Sequence, residues 1–188
     1  MIWPFRGKTP KIDPSCFIAI NATIIGDVEI GPNSTVWPGA VIRADFGPIR
    51  IGSNVNVEDN CVLHGGGPAG LTIGDNVTIG HSVVVHCRKV GNNILLGNNC
   101  TVLDDAEIGD FSIIAAGAVV TPRTVVQPYS FVTGVPGVVQ EQTEEQRLRR
   151  RRRGPAEGTE AETAQAGGYA SLAQEYRALG YGERLDAP

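Results

Sequence analysis

The stretch Ile73-Gly74-Asp75-Asn76-Val77-Thr78-Ile79-Gly80-His81-Ser82-Val83-Val84-Val85 repeats one pattern every six residues. An aliphatic anchor opens each unit (Ile73, Ile79, Val85), and a β-branched residue, Val77 or Val83, follows four positions later. Six matches neither the 3.6-residue period of a helix nor, by itself, the 2-residue period of a strand. It is the length of a short strand plus a corner. Three such units per coil make a triangular prism of parallel strands stacked ~4.8 Å apart. The anchors point inward, and Gly, Asn or Asp relaxes the backbone at the corners.

The register extends both ways. Upstream it runs through Ile12, Ile18, Ile24, Ile30, Val36 and Ile42, then Ile51, Val57 and Leu63. Downstream, after one five-residue step, it runs through Val90, Leu96, Val102, Ile108, Ile114 and Val120. The chain is therefore an all-β solenoid, a parallel β-helix of hexapeptide repeats whose coils share one continuous core. The expected units are a β-helix domain over 8–136 and a C-terminal helical and linker segment over 137–188. Cys16, Cys61 and Cys100 fall four after an anchor and are expected to fill the core, whereas Cys87, two after its anchor, is expected to point outward. Two steps are long: residues 44–49 stretch one to nine, and the run Gly65-Gly66-Gly67-Pro68-Ala69-Gly70 stretches another to ten. Insertions in a solenoid are expected as loops on the functional side.

Among 188 residues, 24 Gly and 12 Pro without a collagen period argue against an all-α bundle. The net charge of −4 gives no reason to expect nucleic acid. No signal-peptide pattern opens the chain and no run is long and apolar enough for a membrane span. Four cysteines without CxxC spacing suggest free thiols and a cytoplasmic location.

In the tail, Thr143-Glu144-Glu145-Gln146 reads as a capping box opening a helix. The basic run Arg147 and Arg149–Arg153 is offset by neighbouring glutamates and reads as a solvated helix end, and 154–168 reads as a linker. Tyr169, Leu172, Ala173, Tyr176 and Leu179 follow helical spacing, with Gly180 as C-cap. That apolar stripe must lie on a flat side of a prism, its own or a neighbour's.

The three histidines, His64, His81 and His86, fall within one short stretch. His64 and His86 each follow an anchor, and those anchors are one full coil apart on one face. The imidazoles then stack one strand spacing apart, close enough to hold one zinc. His81 lies two past Ile79, near the corner between faces, and points another way. One prism cannot easily aim all three at one point, but two neighbouring prisms can. Threefold closure satisfies every contact and predicts a C3 homotrimer. Three neutral imidazoles with an open fourth position are the donor set of a catalytic zinc.

The chain resembles the gamma-class carbonic anhydrases over roughly residues 8–136. The resemblance rests on Arg43-Ala44-Asp45, on Asn56-Val57-Glu58-Asp59 followed by His64, and on Ile79-Gly80-His81 with His86. Gly26-Asp27-Val28, Trp37 and Gly134-Val135-Pro136 agree with it. It implies a left-handed β-helix trimer with zinc (iron or cobalt in some members) held across each interface, by His64 and His86 of one subunit and His81 of the next. It further implies that Arg43, Asp45 and Asp59 order the site, beside Asn56. Glu58 stands where the family commonly has Gln, and Phe46 where some members have a proton-shuttling glutamate. The segment 168–176 is similar to the terminal Asn-Tyr segment of the subgroup without an acidic loop, with Gly168 in place of Asn, which implies that Tyr169 reaches over the metal.

The activity implied is reversible hydration of CO₂ to bicarbonate by a zinc-activated hydroxide, with Glu58 accepting its hydrogen bond or its proton. The negative charge of Glu58 opposes hydroxide and bicarbonate, so turnover could be slow. Two alternatives remain: an acyltransferase using CoA or an acyl carrier, and a catalytically weak metal-binding structural protein.

Overall fold

The computed structural model describes residues 1–151 and 164–183. It is a left-handed β-helix built from the expected hexapeptide units. The first face stacks Phe17–Ile18, Thr35–Val36, Asn56–Val57, Thr78–Ile79, Leu95–Leu96, Ile113–Ile114 and Ser130–Thr133 as parallel strands. The second and third faces form one twelve-stranded sheet, because Thr23–Ile30 and Val41–Ile51 run unbroken around their common corner. On the second face Val41, Val62 and Val84 stand in register, as do Arg43 and His64.

Every anchor from Ile18 to Val120 is buried, and Ile12, at the open end, is partly buried. Burying one such side chain contributes about 1.5–3 kcal/mol, so the stacked anchors carry the fold. Asn33, Asn54, Asn76 and Asn93 occupy one column of corners with φ between 56° and 58°, a left-handed conformation that Asn tolerates. The same column ends in Phe111 and Tyr129, at φ 61° and 60°, whose rings stack 4.9 Å apart.

Two local expectations change here. Cys87 is buried, not outward. The five-residue step from Val85 to Val90 removes one corner residue, so Cys87 takes the inward place that Cys61 and Cys100 hold elsewhere. Residues 44–49 are not a free loop but a bulge within a continuous strand: Gly26 pairs with Ala44 and Val28 with Ile49. The ladder on both sides of the bulge keeps it extended. The second insertion does loop out, and it packs on the first. Gly70 has φ +73°, and a Cβ there would run into the Pro48 carbonyl oxygen.

Beyond the parallel coils, Val138–Glu141 adds an antiparallel strand to the first face. Helix α1, Glu144–Arg151, opens with the expected capping box: Gln146 N donates to Thr143 Oγ1 at 3.2 Å and Thr143 N to Gln146 Oε1 at 2.8 Å. Arg147 reaches the Tyr129 ring; the side chains of Arg149–Arg153 and residues 154–163 lie outside the described residues. Helix α2, Ala164–Ala178, begins inside the stretch read as linker. It lies on the first face of its own prism. Tyr169 and Tyr176 rings sit 5.4 Å from Trp37, and Ala173 is buried. Leu172 and Leu179 are exposed, Leu179 to 70%, because only positions 169, 173 and 176 share the packed side. Gly180, φ +80°, ends the helix as expected.

Candidate functional site

The sequence-derived site residues fall into two clusters at opposite edges of the second face. The first stands at its corner with the third face. His64, in the strand Val62–His64, lies beside Arg43 across the ladder. Its Nε2 donates to Asp45 Oδ1 at 2.8 Å, and Arg43 pairs with the other Asp45 oxygen. Burial pulls the Asp45 carboxyl up, but the hydrogen bonds from His64 and Arg43 and the Arg43 charge outweigh it and hold it below its usual value. His86, one coil on, places Nε2 at 3.1 Å from His64 Nδ1 and Nδ1 at 3.2 Å from Asp104 Oδ1. Phe46 stands edge-on to His64, 5.8 Å between centroids, and is 70% exposed.

The second cluster occupies the corner between the first and second faces. Glu58 is only 3% exposed. It accepts from Asn56 Nδ2 at 3.0 Å and from the Tyr169 hydroxyl, and its Oε2 lies 3.1 Å from His81 Nε2. The other nitrogen of His81 lies 3.0 Å from Asp59 Oδ2. Burial first, then the bond to Glu58 and the charges of Glu58 and Asp59, push the Tyr169 hydroxyl up to about 12. Asn56 is itself locked, because Trp37 Nε1 and Thr35 Oγ1 both donate to its Oδ1 at 2.7 Å. Its amide nitrogen can then only face Glu58. Sequence reasoning missed Thr35 and Asp104. Thr35 is the residue stacked on Asn56, so register alone could have found it.

The family described as bacterial transferase hexapeptide (six repeats) matches residues 9–44 and 89–122. A carbonic anhydrase of Geobacillus kaustophilus is 46% identical over 110 residues, 58% of this chain and 60% of that protein. The mitochondrial gamma carbonic anhydrase 2 of Arabidopsis thaliana is 37% identical over 123 residues, 62% of this chain and 44% of that one. The match thus spans between about two fifths and three fifths of those relatives' lengths. A crystal structure of a putative acetyltransferase of Bacillus cereus superposes with TM-score 0.81 at 37% identity, covering 95% of this chain and 98% of that chain. The chain belongs to the hexapeptide-repeat family that includes the gamma-class carbonic anhydrases.

For a member of this family the question is whether its histidines suit a metal ion. A carboxylate only accepts, so Asp45 and Asp104 fix the protons of His64 and His86 on their outer nitrogens. The two inner nitrogens then face each other, lone pair to lone pair, at 3.1 Å. That arrangement is repulsive until a proton or a cation lies between them. Two ligands of one tetrahedral zinc, each ~2.0–2.1 Å from it, stand about 3.3 Å apart, so the pair fits. His81 keeps one lone pair when neutral and is 46% exposed. Among the described residues no three such groups of one chain gather around a common point.

Proposed function

We propose that the protein is a metal-dependent carbonic anhydrase, interconverting CO₂ and bicarbonate at the seams of a homotrimer, with His64 and His86 from one subunit and His81 from the next. The observation that carries this reading is the opposed pair of inner nitrogens, each backed by a carboxylate, with the third histidine on the far edge of the same face. The exterior of that face supports the seam. Thr23, Val41, Val62, Val84, Thr101 and Val119 line it, whereas the third face presents Lys11, Glu29, Arg50, Thr72, Lys89, Glu107 and Val125. An unbroken row of β-branched side chains suits a partner of the same shape, and a mostly charged row suits water.

A divalent ion held by the three histidines, zinc or else iron or cobalt, would supply Lewis acidity that brings the pKa of a water toward neutral. The residues of the chain orient the rest. Arg43 holds Asp45, which holds the His64 ring; Asp59 does the same for His81. Trp37 and Thr35 fix Asn56, and Asn56 with Tyr169 fixes Glu58, whose Oε2, beside His81 Nε2, would accept a proton or a hydrogen bond from the reacting oxygen. Phe46 stands edge-on beside the His64 ring. The negative charge of Glu58 disfavours bicarbonate and limits the rate. The buried, unpaired thiols suit a reducing compartment, and we assign the protein to the cytoplasm. No described helix is long and apolar enough to cross a membrane.

The test is elemental analysis followed by stopped-flow CO₂ hydration on metal-defined protein. Metal together with hydration is the expected result. Metal without hydration makes the protein a structural metal binder, and acyl-CoA turnover by metal-free protein makes it a transferase, as the name of its Bacillus cereus relative suggests.

A further inference from the structure

Neither the repeat nor the family pattern singles out Asp104. It lies two residues past Val102, at the corner one coil beyond His86. Val85 pairs with Val102, and His86 N donates to the Val102 carbonyl at 2.8 Å, so this corner is held against the His86 ring. Asp104 Oδ1 then stands 3.2 Å from His86 Nδ1. The glycine loop closes the other side: a Cβ on Gly66 would come within 2.8 Å of His86 Cε1 and 3.0 Å of Asp104 Oδ1. The ring is thus gripped between a carboxylate and bare backbone, and a larger residue at position 66 would push the two apart.

We propose that Asp104 is the positioning residue of His86: by accepting a hydrogen bond from Nδ1–H it sets the tautomer and the ring angle that present Nε2 to a divalent cation. This rests on the reading of His64 and His86 as metal ligands. Asp45 does the corresponding work for His64, but Arg43 backs Asp45, whereas Asp104 is 54% exposed. Its effect is therefore carried by the one contact with His86. Partners of this kind typically change metal affinity 10–100-fold, roughly.

The experiment uses metal-stripped full-length protein, titrated with zinc against a chromophoric chelator and with cobalt by its visible spectrum. Asp104→Ala is expected to weaken zinc about 10–100-fold and to alter the cobalt bands. Asp104→Asn, whose amide oxygen still accepts from Nδ1, is expected to lose less. Asp105→Asn, an equal change in charge one residue along, is expected to leave affinity nearly unchanged. Thermal unfolding of the metal-free Asp104→Ala protein should match the parent, which separates positioning from folding. Equal zinc affinity in parent and Asp104→Ala overturns the proposal alone, as does an equal loss in Asp105→Asn. Failure of the parent to take up either ion overturns this proposal and the metal reading together.

Discussion

Glu58 accepts from Asn56 Nδ2 and from the Tyr169 hydroxyl, and its Oε2 lies 3.1 Å from His81 Nε2. Its proposed role as acceptor makes Glu58→Gln a direct test. Hydration kcat is expected to fall by about 10²–10⁴, the usual contribution of a positioned base, and a faster variant would exclude that role. Asn56→Asp keeps the donors from Trp37 and Thr35 but sets a second carboxylate against Glu58 in a buried place. We expect a loss of about 3 kcal/mol in urea unfolding. Tyr169 gives a pH signature. Its folded pKa lies above the ordinary value of 10, at about 12, so its contribution is complete below pH 10 and lost as pH rises toward 12. Tyr169→Phe should remove this alkaline loss, read by unfolding between pH 9 and 12. Asn56 and Glu58 are legible in the sequence, but which atoms they face is not, because that depends on Trp37 and Thr35 one coil away.

At the scale of elements, the six-residue period is legible because each unit places one inward anchor on one face, a local rule repeated. Where the period changes, the rule fails. The five-residue step turns Cys87 inward, and the nine-residue step becomes a bulge whose fate depends on the neighbouring strand Thr23–Ile30. The ten-residue step depends on Gly70 meeting Pro48. Gly70→Ala should therefore cost about 2 kcal/mol or more, through both the left-handed φ and the clash, measured by denaturant unfolding. If stability is unchanged, the two insertions do not pack as described. Helix α2 was legible as an amphipathic segment, but its packed side was not. Only the prism, offering Phe17 and Trp37, selects Tyr169 and Tyr176 over Leu172 and Leu179.

For the whole molecule, the second face carries the consequence. Val62 is exposed in the single chain and stands beside the His64 strand position. Val62→Glu is expected to yield monomers in sedimentation and to abolish tight zinc binding, since His81 then has no neighbour to serve. Stoichiometric zinc on such monomers would contradict a shared site. The amino-acid order by itself determined the β-helix, its core, and the phase that puts His64 and His86 together on one face and His81 at a corner. These follow from short-range periodicity, which needs no knowledge of distant contacts. Only the tertiary structure decided that the inner nitrogens of His64 and His86 oppose each other, that Asp104 backs His86, and that α2 covers Glu58. Those contacts cross coils of unequal length or reach from a helix far along the chain, and side-chain direction there is set by packing rather than by spacing.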